Sequence, residues 1–436
     1  MACTDCAPIN AKTLASTTTD NSCLGVGDVC NPIADELTPT ENERRSYYAG
    51  LRIVPYMGED STALKMFSRL RNLSPTQSAC IQSIKDYALG GEMMVTRRKR
   101  EGFASLAESK EVSPIEADLF IDFIESFSTG NELMKLNEKT YDNLQENGNA
   151  WIQVIFTQTA GVRNVELVGH DQLNVRYKYS RKGEERRAYI SQEWSTTYLS
   201  QHPPVLIPLY PHVGDMGDGV FTTLIHSANL TTDRHWYGTP PSMASIYFQW
   251  LEVMRGDYTQ KEYGNGFTGK HFIEFEADHG STDYNDIAAS FKSVFTRKGD
   301  AKTLVLRQRS VNQKPAEVHS FTPNTNEKFQ AFVSEDAESQ IIKSQNWNGA
   351  LMGIADPGKL GATAYINDLY KWKFQTVVKP WQNKTLSPLN LAIDLAAQWM
   401  GREEMLDYSL GLTNPMAEML EEMKQAATPQ VEIINE

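Results

Sequence analysis

The run Gly353-Ile354-Ala355-Asp356-Pro357-Gly358 constrains this chain most, because an unbroken α-helix is not expected to pass through it. Its two glycines lower helix propensity, and Pro357 drives Asp356 out of the helical region. Helical patterns flank the break. Before it, Ile341, Ile342, Ala350 and Leu351 are apolar among Glu335, Asp336, Glu338 and Lys343. After it, Ile366, Leu369, Tyr370, Phe374, Val377 and Val378 recur at helical spacing, with Asn367, Asp368, Lys371 and Gln375 opposite. Pro380 is expected to stop this second helix. The stretch reads helix, short loop, longer helix, which suits an ordinary helical hairpin as well as a functional loop.

A second long helical pattern lies upstream. Thr239 can cap it, Pro240 or Pro241 fits its first turn, and Gly264-Asn265-Gly266 ends it. Met243, Ile246, Tyr247, Trp250, Leu251, Met254 and Tyr258 form one stripe, a pattern that usually faces a core. Between the two helical stretches the pattern is strand (271–275), helix (284–295), strand (303–307), strand (316–321). A small αβ module bracketed by two long helices implies a stalk carrying a knob. Upstream, 44–235 reads as an α+β domain: helices over 62–70, 75–89, 114–127 and 133–146, then strands of an antiparallel sheet. A further helix is expected over 387–400 and a short last one over 415–425.

With 436 residues, more than one subdomain is expected. The net charge of −13 argues against a protein that clamps DNA by neutralising phosphates, but not against a surface past which DNA slides. No apolar run is long enough for a membrane span, and no secretory leader is expected. Cys3, Cys6, Cys23 and Cys30 fall in a polar stretch, 1–43, that reads as a flexible arm. Cys3-x-x-Cys6 could be half a zinc knuckle, but Cys23 and Cys30 are too far apart to complete it; the plainer reading is a reduced tail. Cys80 reads as a small buried apolar residue.

Five short motifs, taken in order, resemble the HK97-like portal proteins of tailed bacteriophages. They are Gly148-Asn149-Ala150-Trp151-Ile152, Tyr237-Gly238-Thr239-Pro240, Tyr263-Gly264-Asn265-Gly266, Met352-Gly353-Ile354 with Pro357 and Leu360-Gly361, and Val377-Val378-Lys379-Pro380-Trp381. The resemblance covers about 44–400. It implies a portal fold assembled as a ring, usually of twelve subunits, with an α+β wing (44–235) and a two-helix stem (239–263 and 329–351). A clip (264–326), a tunnel loop (352–363) and a long wing helix with its return (364–400) follow, and 401–436 would be a short crown or tail. By the same resemblance the ring sits at one capsid vertex of the virion, is assembled in the bacterial cytoplasm, and passes double-stranded DNA at packaging and ejection. Its implied partners are the terminase large subunit, the major capsid protein and a head-completion, adaptor or tail protein. Ile354, Ala355, Asp356, Pro357, Gly358, Lys359 and Leu360 would form the loop. Lys328, Lys343 and Lys359 are candidates for light phosphate contact, or else solvated surface charges.

Catalytic chemistry finds little footing. Gly264 to His271 nearly fits G-x-x-x-x-G-K-[ST], but His271 replaces the magnesium-binding hydroxyl. The loop also follows a helix and precedes a strand, the reverse of a phosphate cradle. The histidines show no metal-ligand spacing, so no enzyme, metal or cofactor is expected. The alternatives are another head–tail connector or adaptor and, further off, an ATPase built on Lys270.

Overall fold

The structure, a computed structural model, describes residues 46–48, 51–57, 61–98, 112–180, 184–231, 236–264, 270–276, 305–309, 318–321, 327–354 and 363–416. The chain divides into two compact units. One comprises Ile33–Arg255 and Glu327–Glu436, the other Gly256–Asn326 with Met1–Pro32.

The larger unit is built on a four-stranded antiparallel sheet in the order Val162–His170, Asn149–Thr159, Val220–Ala228, Gly214–Gly217. Alternation along the central strands sends side chains to two different cores. Ile152, Val154, Phe156 and Ile225 meet Phe120, Phe123 and Ile124 of the helix Pro114–Glu125, Leu133 and Leu136 of Gly130–Glu146, and Leu386, Leu389 and Ile393 of Lys379–Met400. Trp151 and Leu224 belong to a second core with Val175, Tyr177, Tyr237, Ile246 and the helix Thr62–Leu73. A three-stranded antiparallel sheet, Val175–Tyr177, Arg187–Ile190 and Val205–Pro208, contributes to that side.

Several boundaries follow local chemistry. Ser74 caps the helix Pro75–Leu89 by accepting from the Gln77 amide, with Pro75 in the first turn. Ser113-x-x-Glu116 and Thr129-x-x-Glu132 are complete capping boxes. Bonds from the capping groups hold the Glu116 and Glu132 carboxyls below their ordinary range, chiefly through Ser113 and Thr129 respectively.

Four expectations are corrected. Pro380 does not stop the helix: Thr363–Lys373 runs through a π turn, Phe374–Val378, into Lys379–Met400. The Lys379 amide reaches the Phe374 carbonyl five residues back, and Pro380 falls in the first turn of the next α segment, where a missing N–H is tolerated. The expected 387–400 helix is therefore the end of a longer one, with Pro388 inside it. The helix before the break, Glu327–Ser344, ends seven residues short of 351, because Asn346 adopts φ 50° and turns the chain. Thr239 does not cap the upstream helix; a 3-10 turn, Pro241–Ser245, leads into Ile246–Gly264. Lastly, the described part of 401–436, which ends at 416, is not simply a tail. Tyr408–Leu412 pairs antiparallel with Met93–Arg97, and Met405 and Leu410 are buried in the helical core. The helix expected over 415–425 lies almost wholly outside the described residues.

In the smaller unit, Lys270–Glu276 is the middle strand of three, parallel to Val305–Arg309 and antiparallel to Val318–Phe321. The helix expected over 284–295 lies outside the described residues.

Candidate functional site

Two of the sequence motifs touch. The Asn149 amide oxygen accepts from the Gly238 backbone at 2.6 Å, and its nitrogen donates to the Gly238 carbonyl at 3.3 Å. The Gly148 carbonyl accepts from the Asn229 amide at 2.8 Å, and the Asn229 carbonyl from the Thr239 amide at 3.0 Å. The turn that opens the central strand thus fixes the residues that lead into the helix Ile246–Gly264. Tyr237 tightens the same knot: its hydroxyl donates to the Val54 carbonyl and accepts from the Tyr177 amide.

Behind this junction His226 stacks on Trp151, with ring centroids 3.8 Å apart and planes 11° from parallel. Its Nε2 lies 3.1 Å from the Asn149 oxygen and its Nδ1 2.6 Å from the Tyr177 hydroxyl. Since that oxygen can only accept, Nε2 carries the proton and Nδ1 receives the phenol's. Burial, with the Arg186 guanidinium adding to it, pushes the ring down to about 3. Burial also raises the Tyr177 phenol far above its ordinary value.

The two helices that bracket the small unit run antiparallel. Ser344 donates to Ser245 at 2.7 Å, and Arg255 bonds Ser334. Both steps span ten positions, in opposite directions along the two helices. Over 241–260, the buried positions on the first helix and the 3-10 turn before it are Ser242, Ser245, Ile246, Gln249 and Val253, with Gln249 donating to the Ser242 carbonyl and the Ser245 hydroxyl. Of the seven residues in the expected stripe, Ile246 is buried and Met243 and Trp250 are half-buried. Tyr247, Leu251, Met254 and Tyr258 are exposed, the first at 55%. The stripe is two faces, one packed within the chain and one open.

Glu252 holds this helix to its neighbour. Its carboxylate accepts from the Ser74 and Thr76 hydroxyls, each at 2.5 Å, at the N-terminus of the helix Pro75–Leu89. Charge-assisted bonds at a helix N-terminus are favourable on both counts. Glu252→Gln should lower stability by about 1–2 kcal/mol, read from the urea midpoint. An unchanged midpoint would show that these bonds contribute nothing.

The described residues on either side of 355–362 are pinned. Lys373, only 4% exposed, donates to the Asn346 carbonyl at 2.6 Å and its side-chain oxygen at 3.1 Å. Burial pushes its ammonium below its usual range. Trp347 donates to Ser83 at 3.1 Å and packs with Leu351, Tyr370, Val377 and Val378 against Ile81, Ile84 and Ala88. Gly349–Met352 forms a 3-10 turn capped by Asn348, and Gly353 closes it at φ 80°. Cys80 is buried here, 3.5 Å from the Met352 sulfur, its thiol pushed up to about 12 by burial with the Glu252 and Glu338 charges adding.

Ile354 is 39% exposed at the edge of these residues, while Ala355, Asp356, Pro357, Gly358, Lys359 and Leu360 lie outside the described residues. Lys343 is exposed in the last turn of its helix, and Lys328 lies in the first turn. Of the near phosphate-loop run, Gly264 ends a helix and Lys270 and His271 begin a strand; 265–269 lie outside the described residues. Cys3, Cys6, Cys23 and Cys30 do so as well. Among the described residues no cluster of three or more His, Cys, Asp or Glu could hold a metal. No described helix is long and apolar enough to cross a membrane. The anchors Lys373, Asn346 and Glu252 escaped sequence reading, since lone polar residues on helical patterns carry no such signal.

No protein-family model and no curated protein matches the sequence. Solved structures do. A chain of the virion of a native gene transfer agent particle is 11% identical with a TM-score of 0.49, over 85% of this chain and 91% of that one. A chain from the neck of the native particle, computed with C12 symmetry, is 12% identical with a TM-score of 0.47, over 83% and 88%. An HK97 family phage portal protein from Corynebacterium diphtheriae is 10% identical with a TM-score of 0.40, over 81% and 97%.

Proposed function

We propose that this chain is a portal-type subunit of a tailed-phage-like particle. It forms a ring, usually of twelve copies, at one capsid vertex, and double-stranded DNA passes through the ring at packaging and ejection. The observation that carries this reading is the chain's course. It leaves an α+β body through one helix, builds a separate three-stranded unit, and returns through an antiparallel partner. From Thr363 it then runs along a helix that ends in the body's core. The five motifs fall along that course in family order. A net charge of −13 per copy suits a bore that passes a polyanion without deep binding minima. On this reading the exposed Tyr247, Leu251 and Met254 face a neighbouring copy in the ring. The terminase large subunit, the major capsid protein and a head-completion, adaptor or tail protein dock on it, and the subunit acts without a catalytic site.

The test is negative-stain electron microscopy with native mass spectrometry on the purified protein, followed by deletion of Gly353–Gly361. Closed rings near twelve with an axial hole are expected, and the deletion should leave rings intact while abolishing DNA packaging or retention. Normal packaging by the deletion would remove the loop from the mechanism. Rings of another count without a bore would favour an adaptor, and ATP turnover lost in Lys270→Ala would favour an ATPase.

A further inference from the structure

The helix Pro114–Glu125 is apolar on both sides. Phe120, Phe123 and Ile124 are buried in the core, yet Ile115 is 74% exposed, Leu119 53% and Ile121 43%. A surface helix normally keeps its outer side polar. Here Ile115 and Leu119 stand one turn apart on the outside, beside a ridge of Asp118, Asp122 and Glu125 at the same helical spacing. The ridge carboxylates are exposed, and none is in an ion pair with a described residue. The helix has four carboxylates and no cation. Among the described residues, the cation that reaches it is Arg97, engaged 3.5 Å from Glu116, which also accepts from Tyr408.

We infer that this face docks a cationic amphipathic polypeptide segment of another protein, its apolar residues on Ile115 and Leu119 and its lysines or arginines on Asp118, Asp122 and Glu125. The pattern selects the chemistry. A nucleic acid or an anionic membrane surface is repelled by three exposed carboxylates that pair with no described cation, and a plain apolar partner would bury them without compensation. A segment with cations beside its apolar stripe satisfies both strips at once. The inference does not depend on the portal reading.

The test uses the full-length protein and a fluorescent amphipathic peptide of about fourteen residues, leucines at helical spacing with lysines beside them. The same peptide with glutamate for lysine is the control. Anisotropy should show saturable binding of the lysine peptide and none of the glutamate peptide. Asp118→Lys with Asp122→Lys, and separately Ile115→Ser with Leu119→Ser, should each weaken binding by about tenfold. Glu166→Lys with Glu335→Lys changes the net charge equally on other elements and should leave binding within about twofold. Equal weakening by that pair would reduce the effect to general charge attraction and overturn the inference, as would binding indifferent to the face variants. The serine variant separates the other occupants. A fall of several degrees in its unfolding midpoint would assign the face to the chain's own residues. A change in its sedimentation would assign the face to a second copy. Either result overturns an external partner.

Discussion

Gly148→Ala is expected to leave little folded protein. Gly148 adopts φ +80°, which an alanine tolerates poorly, and an added Cβ would lie 2.3 Å from both the carbonyl carbon and oxygen of Thr239. Backbone atoms cannot swing aside as a flexible side chain can. The junction would have to open, and with it the bonds joining Gly148, Asn229, Gly238 and Asn149. Loss of about 3 kcal/mol or more is expected, a large share of a domain's stability. Gly161→Ala is the matched control: its φ is +87°, but nothing lies within 4 Å of the added atom. It should lose only about 1 kcal/mol of backbone strain. Soluble expression and urea midpoints of the two variants decide the matter. Equal effects would mean that the close approach to Thr239 contributes nothing. Gly238→Ala should behave like Gly148→Ala, since its added Cβ would lie 2.2 Å from the Gly148 carbonyl oxygen.

That junction also shows where sequence reading succeeds and where it stops. Gly148-Asn149 is legible as a turn, because glycine and asparagine supply unusual backbone angles locally, and Tyr237-Gly238 is legible only as part of a motif. Their contact spans 89 positions and no local rule encodes it. The helix Pro75–Leu89 was legible to the residue, since Ser74, Pro75 and Gly90 mark its ends chemically. Tyr408–Leu412 was not, because five residues of weak alternation become a strand only by pairing with Met93–Arg97. The same holds for Val205–Pro208 and Gly214–Gly217, which lie in a proline- and glycine-rich stretch that reads as loop and are strands only by virtue of their partners.

The long helix gives the opposite lesson. Pro380 is a strong local stop signal, and the structure overrides it by changing the hydrogen-bond step from four residues to five over Phe374–Val378. Val377 and Val378 are buried in the core at the base of the break, and a straight α-helix would have to shift them around the axis. The apolar period is legible as helical, but its small slip at 374–378 is not. The upstream stripe divides in a related way. Apolar side chains wrapped more than one face of Ile246–Gly264, while Ser242, Ser245 and Gln249 took buried positions that only their mutual hydrogen bonds make tolerable.

Mild acid should weaken the protein through His226. In the folded chain the ring titrates at about 3, because burial and Arg186 disfavour its charged form, whereas an unfolded histidine titrates near 6.5. The folded value is the lower one, so between the two the unfolded chain binds more protons. Stability therefore rises with pH through that window, is flat above it, and falls as pH drops below about 6.5. Between pH 6.5 and pH 5 the loss from this one group is about 2 kcal/mol. His170, also lowered by burial and by Lys139, contributes with the same sign. The lowered carboxyls of Glu116 and Glu132 contribute only near and below their ordinary range, at more acid pH. Asp394, whose carboxyl burial raises against the pull of Arg98, contributes with the opposite sign, so the comparison with His226→Gln, rather than the interval from 6.5 to 5 alone, isolates the ring. Urea midpoints measured across that interval should fall steeply for the natural protein. In His226→Gln the protein should start less stable at pH 7.5, having lost the stack on Trp151 and the Tyr177 bond, yet fall only by the part His170 leaves. An equally steep fall in His226→Gln would show that the ring between Asn149 and Tyr177 is not the group that acid attacks.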